Sequence, residues 1–377
     1  MAQPVITGVG RTDYTRKSGR SILELAAEAS LAALADAGLT PEDVGGIVTF
    51  HDNDTVQPYE VASALGTGPL AWSQSIVGGG SEMCAAIGAA ADVVASGRAD
   101  HVIMYRALNG ASGKRMGSFG ASAVDDYRQF MAPYGYASPV QVAAMAARRH
   151  MATYGTTREQ LGAIAVTQRE NALLNPRAFM KDKPLTLDAY LASRPISEPL
   201  HLLDCCLEND GAVAIVISRE PTGSQPAVTI SSWAYGAGPH STVPYEKYPD
   251  ITAMFPVYLR DELYGRAGIG ASDIDVACIY DAFTYSALSQ LEDFGFCEKG
   301  EGGPFAASGA IARDGQVALN PGGGLLSEGY IHGMNNVAEA VDQLRGITGD
   351  RQVADAEVAL VSGYSFTRGS AMILTKG

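Results

Sequence analysis

Two glycine-rich segments of this 377-residue chain run into helical sequence, and the residues around them are the ones that could do chemistry. The first is Ser75-Ile-Val-Gly78-Gly79-Gly80-Ser81-Glu-Met-Cys84, which continues through alanines to Ala90. The second is Asn320-Pro-Gly-Gly-Gly-Leu-Leu-Ser-Glu-Gly329-Tyr330-Ile-His332-Gly333. Glycines there let backbone N–H groups approach a ligand, and a helix start stabilises a nearby anion. Tyr330 stands just ahead of the second helix, a setting that would lower a phenol from its ordinary pKa of about 10. His332 reads first as a loop hydrogen-bonder or a support behind the reacting groups, with an acid/base role as the lesser alternative. Cys84 falls about one turn inside its helix, whereas a thiolate gains most at the helix start, so it reads as a buried structural thiol. Ser81 is better placed, but no Ser/His/Asp arrangement accompanies it.

A third segment, Tyr280-Asp281-Ala-Phe-Thr284, follows a short β-branched run. Asp281 either orients a neighbour or caps the helix that follows.

An internal repeat supplies the elements that position these residues. Ala37-Gly-Leu-Thr-Pro-Glu-Asp43-Val-Gly-Gly-Ile-Val-Thr-Phe50 recurs as Ala267-Gly-Ile-Gly-Ala-Ser-Asp273-Ile-Asp-Val-Ala-Cys-Ile-Tyr280, with no gaps. Phe50 is thus the partner of Tyr280, and the hydroxyl is present in one copy alone. Each copy follows an amphipathic helix ended by Gly38 or Gly268, as a left-handed C-cap would end it. Ser21 and Glu24 predict a capping box at the start of the first helix. The Gly80 helix leads to the strand His101–Tyr105, and the Tyr330 helix leads to the strand Glu357–Val361. Alternating strands and helices predict parallel sheets covered on both faces. Helices are expected at Pro139–Tyr154 and Thr157–Leu174, within an insertion over about 112–205 that breaks the symmetry. His51 and Asp52, after the first-copy strand, read as surface residues.

A hydrophobic content of 46% over 377 residues suits two fused domains with a large core. The formal charge of −14, without a Lys/Arg run, disfavours nucleic acid and anionic membranes as partners. No apolar run approaches the roughly 20 residues that span a bilayer, and the N-terminal segment reads as a first strand and not a signal peptide. The five cysteines show neither CxxC pairing nor metal spacing and suit a reducing cytoplasm.

The two glycine loops, with the segment at Tyr280, resemble those of the thiolase superfamily, in particular its sterol-carrier and lipid-transfer-protein branch. The resemblance spans almost the whole chain. It implies an α/β thiolase-like fold of two duplicated βαβαβ halves, 1–222 and 223–377, in a five-layered α-β-α-β-α sandwich. The insertion over about 112–205 would be the loop domain that covers acyl-CoA. Thiolases carry a cysteine nucleophile on the first loop and Gly-His-Pro-x-Gly on the second; here Gly80 takes the cysteine position and Tyr330 the histidine position. Tyr280-Asp281-Ala-Phe matches Asn-Glu-Ala-Phe or His-Asp-Cys-Phe, and Ser362-Gly363-Tyr364 replaces the second cysteine.

With the nucleophile and bases gone, the resemblance implies an acyl-CoA site that stabilises a thioester enolate through Gly79, Gly80, Ser81 and Gly363. Two tyrosines supply a proton acceptor and a donor, with Tyr330 assigned to abstraction and Tyr280 to donation. The implied reaction is retro-aldol cleavage of a β-hydroxyacyl-CoA, as in bacterial steroid side-chain aldolases that leave a 17-ketosteroid and propionyl-CoA. No cofactor or metal is implied. Arg106, Lys114, Arg115, Arg177, Lys181 and Lys183 are candidates for the CoA phosphates. The implied partners are a second copy of the chain, joined edge to edge near the apolar run His101–Tyr105, and an OB-fold and zinc-ribbon protein, sometimes fused to an enoyl-CoA hydratase. Two other readings stay open: a cysteine-dependent thiolase or acyltransferase using Cys84, and a non-catalytic acyl-CoA or lipid carrier.

Overall fold

The computed structural model describes residues 3–113, 132–136, 138–238 and 248–377. The first half runs β1 (Val5–Arg11), α1 (Ile22–Ala37), β2 (Gly46–His51), α2 (Pro58–Leu65), β3 (Trp72–Val77), α3 (Met83–Ala95) and β4 (His101–Asn109). The insertion carries α4 (Pro139–Tyr154) and α5 (Arg158–Leu173), and β5 (Asp210–Ser218) returns to the sheet. The second half runs β6 (Val228–Ala237), α6 (Arg260–Ala267), β7 (Val276–Cys278), α7 (Thr284–Asp293) and β8 (Ala318–Leu319). It closes with α8 (Gly324–Ser327), α9 (Met334–Arg345), β9 (Val358–Ser365) and β10 (Arg368–Lys376).

Local signals account for many of these bounds. Ser21 Oγ accepts from Glu24 N, and Glu24 Oε2 accepts from Ser21 N, the reciprocal cap that starts α1. Gly38 and Gly268 end their helices at φ 67° and 71°, where a side chain would be strained. Asp43 and Asp273 then each accept a backbone N–H three residues earlier, at 2.8 Å, so the repeat holds down to single hydrogen bonds. Helices α4 and α5 fall where the sequence predicts them, with Thr157 as the N-cap of α5.

The ten strands form one sheet in the order β3-β2-β4-β5-β1-β6-β10-β9-β7-β8. Both halves therefore use the same strand order. The expected parallel sheets are corrected to mixed ones. β2 pairs parallel with β3 and β4, but β5 lies antiparallel to both β4 and β1. In the second half β9 and β10 form an antiparallel hairpin that closes at Ser365 and Arg368. A tight turn can join antiparallel neighbours, whereas parallel ones need a crossover.

Strands β1 and β6 meet at two residue pairs only, Val5–Thr229 and Ile6–Val228, and there the sheet folds over. Helices α3 and α9 pack against strands of both halves and so lie between them, with α1 outside the first half and α6 outside the second. The five layers follow from that placement. All nine residues of β5 are buried, as expected for a strand covered on both faces. Strand β4 is likewise interior, between β2 and β5, so the apolar run His101–Tyr105 packs the core. The free edge in this half belongs to β3, where Val77 is 72% exposed. Among the described residues no helix is long and apolar enough to cross a membrane.

Candidate active site

Tyr280 ends the chain segment leaving β7, and Tyr330 lies between α8 and α9. The fold brings their hydroxyl oxygens to 2.6 Å. Each phenol is placed through its backbone. Tyr280 N donates to Ser362 Oγ at 3.0 Å, Gln290 Nε2 donates to Tyr280 O at 2.9 Å, and Ser362 Oγ donates to Gln290 Oε1 at 2.7 Å. Tyr330 N donates to Asn209 Oδ1 at 2.5 Å. Asp281 does not cap the helix that follows it but the first turn of α8: its two oxygens accept from Leu325 N and Leu326 N, at 2.9 and 3.1 Å. It therefore ties the Tyr280 segment to the short helix that delivers Tyr330.

The first glycine loop meets these phenols directly. A Cβ on Gly80 would overlap Cε2, Cζ and Oη of Tyr280, and one on Gly363 would run into the carbonyl of Gly80. A Cβ on Gly333 would come within 2.8 Å of Met83 Sδ and 2.9 Å of Tyr280 Cδ2. Ser81, fully buried, is held by its carbonyl, which accepts from Ser370 Oγ at 2.6 Å. The absence of a side chain at position 80 is thus what admits the phenol.

Electrostatics reverses one expectation. Burial, the largest influence, pushes both phenols above their ordinary pKa, and Arg106 opposes it only in part. The predicted lowering at Tyr330 fails because α9 begins at Met334, beyond Tyr330, and the Tyr330 N–H is bonded to Asn209. Desolvation of a charge outweighs a distant dipole. A resident phenolate is excluded, and neutral hydroxyls remain. The Asp281 carboxyl is also raised, to about 7, by burial that its two backbone N–H partners only partly offset.

Other candidates separate cleanly. Cys84 is buried, its thiol donates to Val361 O at 3.5 Å, and burial raises its pKa far from the thiolate range. Arg106 is no phosphate contact: its guanidinium is fully buried, with Nη2 2.6 Å from both Asp54 Oδ1 and His332 Nδ1. His51 is buried rather than superficial, because it completes β2 and its Nδ1 accepts from Asn53 N at 3.0 Å; Asp52 is exposed. Arg177, Lys181 and Lys183 are exposed, and Lys114 and Arg115 lie outside the described residues. Sequence reasoning missed Asn209, Gln290 and Asp54. Buried polar residues clustered on α7 (Ser286, Ser289, Gln290) are a signal that could have pointed to Gln290; no spacing marks Asn209 or Asp54.

The fold and this site, which has glycine and no cysteine at position 80, define a thiolase-superfamily protein. The C-terminal residues 240–376 match the family model described as thiolase C-terminal domain-like. The chain belongs to the lipid-transfer-protein-like branch, among the steroid side-chain aldolases. It is 43% identical, over 99% of both chains, to a 17-hydroxy-3-oxo-4-pregnene-20-carboxyl-CoA lyase of Mycobacterium tuberculosis. It is 42% identical to a steroid side-chain-cleaving aldolase of Thermomonospora curvata, covering 98% of this chain and 97% of the other. The solved Ltp2-ChsH2(DUF35) aldolase superposes with a TM-score of 0.93 at 40% identity, over 100% of this chain and 98% of that one.

Proposed function

We propose that this chain cleaves the Cα–Cβ bond of a β-hydroxyacyl-CoA by a retro-aldol reaction, on a 17-hydroxy-steroid-20-carboxyl-CoA. The products are a 17-ketosteroid and propionyl-CoA. The observation that carries the reading is the 2.6 Å contact between two buried hydroxyls, Tyr280 and Tyr330, beside the glycine loop at Gly80. The full-length likeness to two aldolases supports the same reaction.

Retro-aldol cleavage needs one proton moved from the β-hydroxyl to Cα. In one concerted relay, the first phenol accepts the hydroxyl proton as it passes its own to the second, and the second releases its proton to Cα as the Cα–Cβ bond breaks with thioester enolate character to leave the ketone. The pair ends one proton exchange from where it began, with no phenolate at rest, which suits hydroxyls whose ionisation burial opposes. In this reading Tyr330 faces the substrate hydroxyl, which leaves Tyr280 to protonate Cα. The buried, bonded thiol of Cys84 gives no support to a cysteine thiolase, and a carrier would have no use for the hydroxyl pair.

Two partners belong to this reading. The open edge of β3 suits pairing with the same edge of a second copy, which would make the active form a homodimer. The aldolase it superposes on pairs with a DUF35 protein, which supports an OB-fold and zinc-ribbon partner here, in the cytoplasm. The test is to incubate the chain, with and without a co-expressed partner of that type, with a 17-hydroxy-steroid-20-carboxyl-CoA. The expected result is ketone and propionyl-CoA in equal amounts; acyl-enzyme accumulation in place of ketone would overturn the reading.

A further inference from the structure

One buried assembly beside the phenols has no part in the proton relay. Arg106, on β4, donates from Nε and Nη2 to Nδ1 of His332, at 3.1 and 2.6 Å. Nη2 also reaches Asp54 Oδ1 at 2.6 Å, and the guanidinium lies over the Phe50 ring, 5.2 Å from its centroid. His332 is 2% exposed and its backbone is held at φ 50°, in the left-handed region that non-glycine residues seldom occupy.

The chemistry of this contact fixes the imidazole. A guanidinium offers donors and no acceptor, so the Nδ1 it touches must present its lone pair. The proton therefore sits on Nε2, and the doubly protonated ring is excluded. Burial and the adjacent cation agree, holding the His332 pKa down to about 3. When a carboxylate accepts from Nδ1–H, Nε2 becomes a base. A cation donating to Nδ1 does the opposite and polarises Nε2–H as a donor.

That donor borders an opening in the first glycine loop. A Cβ on Gly78 would meet Glu82 and one on Gly80 would meet Tyr280, but one on Gly79 would have a single neighbour within 4 Å, His332 Nε2 at 3.9 Å. Among the described residues Nε2 has no hydrogen-bond partner. The His332 ring also stands 5.2 Å from that of Tyr330, centroid to centroid.

We propose that His332 is a catalytic residue whose Nε2–H binds the thioester oxygen in the space beside Gly79 and stabilises the enolate, with Arg106 and Asp54 as positioning residues that impose its tautomer. This rests on the retro-aldol reading and names the group that receives the negative charge the phenols leave on the substrate. Electrostatic donors aimed at developing charge are commonly the largest single contribution in such sites.

The test begins with 15N-histidine spectra of the wild-type protein in its partner complex, with His332 assigned by difference from His332→Gln. The expected pattern is an unprotonated Nδ1 and a protonated Nε2; the other tautomer, or an imidazolium, overturns the proposal. Arg106→Gln, which keeps a donor toward Nδ1, should preserve that pattern, and Arg106→Leu should lose it. In steady-state kinetics His332→Leu should lower kcat by about 10²–10³-fold, as loss of an oxyanion donor does, with KM changed by less than about threefold. His332→Gln, whose amide can accept from Arg106 and still donate, should retain more activity than His332→Leu. Unchanged kcat in His332→Leu, with wild-type cleavage intact, sinks this proposal alone. If the wild type forms no ketone, the retro-aldol reading fails and takes this proposal with it.

Discussion

The Tyr280 phenol occupies the volume that a side chain on Gly80 would fill, so the two residues are one structural decision. By the resemblance to thiolases Gly80 takes the nucleophile's position, and its missing Cβ reads at first as a loss of function. In the folded chain it is the clearance that lets a phenol reach Tyr330. Beside that clearance the two phenol hydroxyls lie 2.6 Å apart.

Restoring a cysteine at position 80 is therefore expected to yield no thiolase. Gly80→Cys should be destabilised by about 1–3 kcal/mol through overpacking and should lose cleavage activity. Combining it with Tyr280→Ala should recover much of that stability, because the clashing ring is gone, and a thermal double-mutant cycle measures the coupling. Strictly additive losses would show that the two side chains do not compete for space.

The hydroxyl pair should behave as a unit. Tyr330→Phe and Tyr280→Phe should each lower kcat by about 10²–10⁴-fold while acyl-CoA binding is nearly kept. The double variant should be little worse than either single one, since one missing hydroxyl already breaks the relay. Cys84→Ala should retain most activity. A dead Cys84→Ala beside an active Tyr330→Phe would return the site to cysteine chemistry.

A buried carboxyl near the site gives a pH signature. Glu328, two residues before Tyr330, has its pKa raised from 4.5 to about 8 by burial and then by Glu339, while Arg11 and the Asn335 amide oppose the rise. A raised carboxyl pKa contributes stability that is full below its unfolded value and is lost as pH rises through the folded one. The melting temperature of the wild type should therefore fall between about pH 4.5 and pH 8 through this group. Glu328→Gln should flatten that fall and should be the more stable form at pH 9. A less stable variant at pH 9 would mean that the ionised carboxylate is well compensated where it lies.

The β3 edge can be examined separately. Val77 is exposed in the single chain, so Val77→Lys should leave its fold and melting temperature nearly unchanged. If β3 is the dimer seam, light scattering at micromolar concentration should show the variant shifted toward monomer. An unshifted dimer would place the seam elsewhere.

Much of the architecture is legible in the sequence. The gap-free repeat, Gly38 and Gly268, the capping box at Ser21 and the helices of the insertion are set by neighbours a few residues apart, and such signals lie in the local sequence. The residue types at 80, 280 and 330 likewise announced a thiolase scaffold without a thiolate. What local sequence left open was environment. The sign of the Tyr330 pKa shift, the mixed sheet, the bonding of Asp281 to the helix at Gly324, and the withdrawal of Arg106 into a buried ion pair were decided by the tertiary structure. Apart from the β9–β10 hairpin, each depends on groups far apart in sequence, as Arg106 and His332 are, and desolvation is a sum over all the atoms that exclude water from a site. Spacing along the chain places a residue on its element; only the packed fold determines what that residue's charge, proton or hydroxyl will meet.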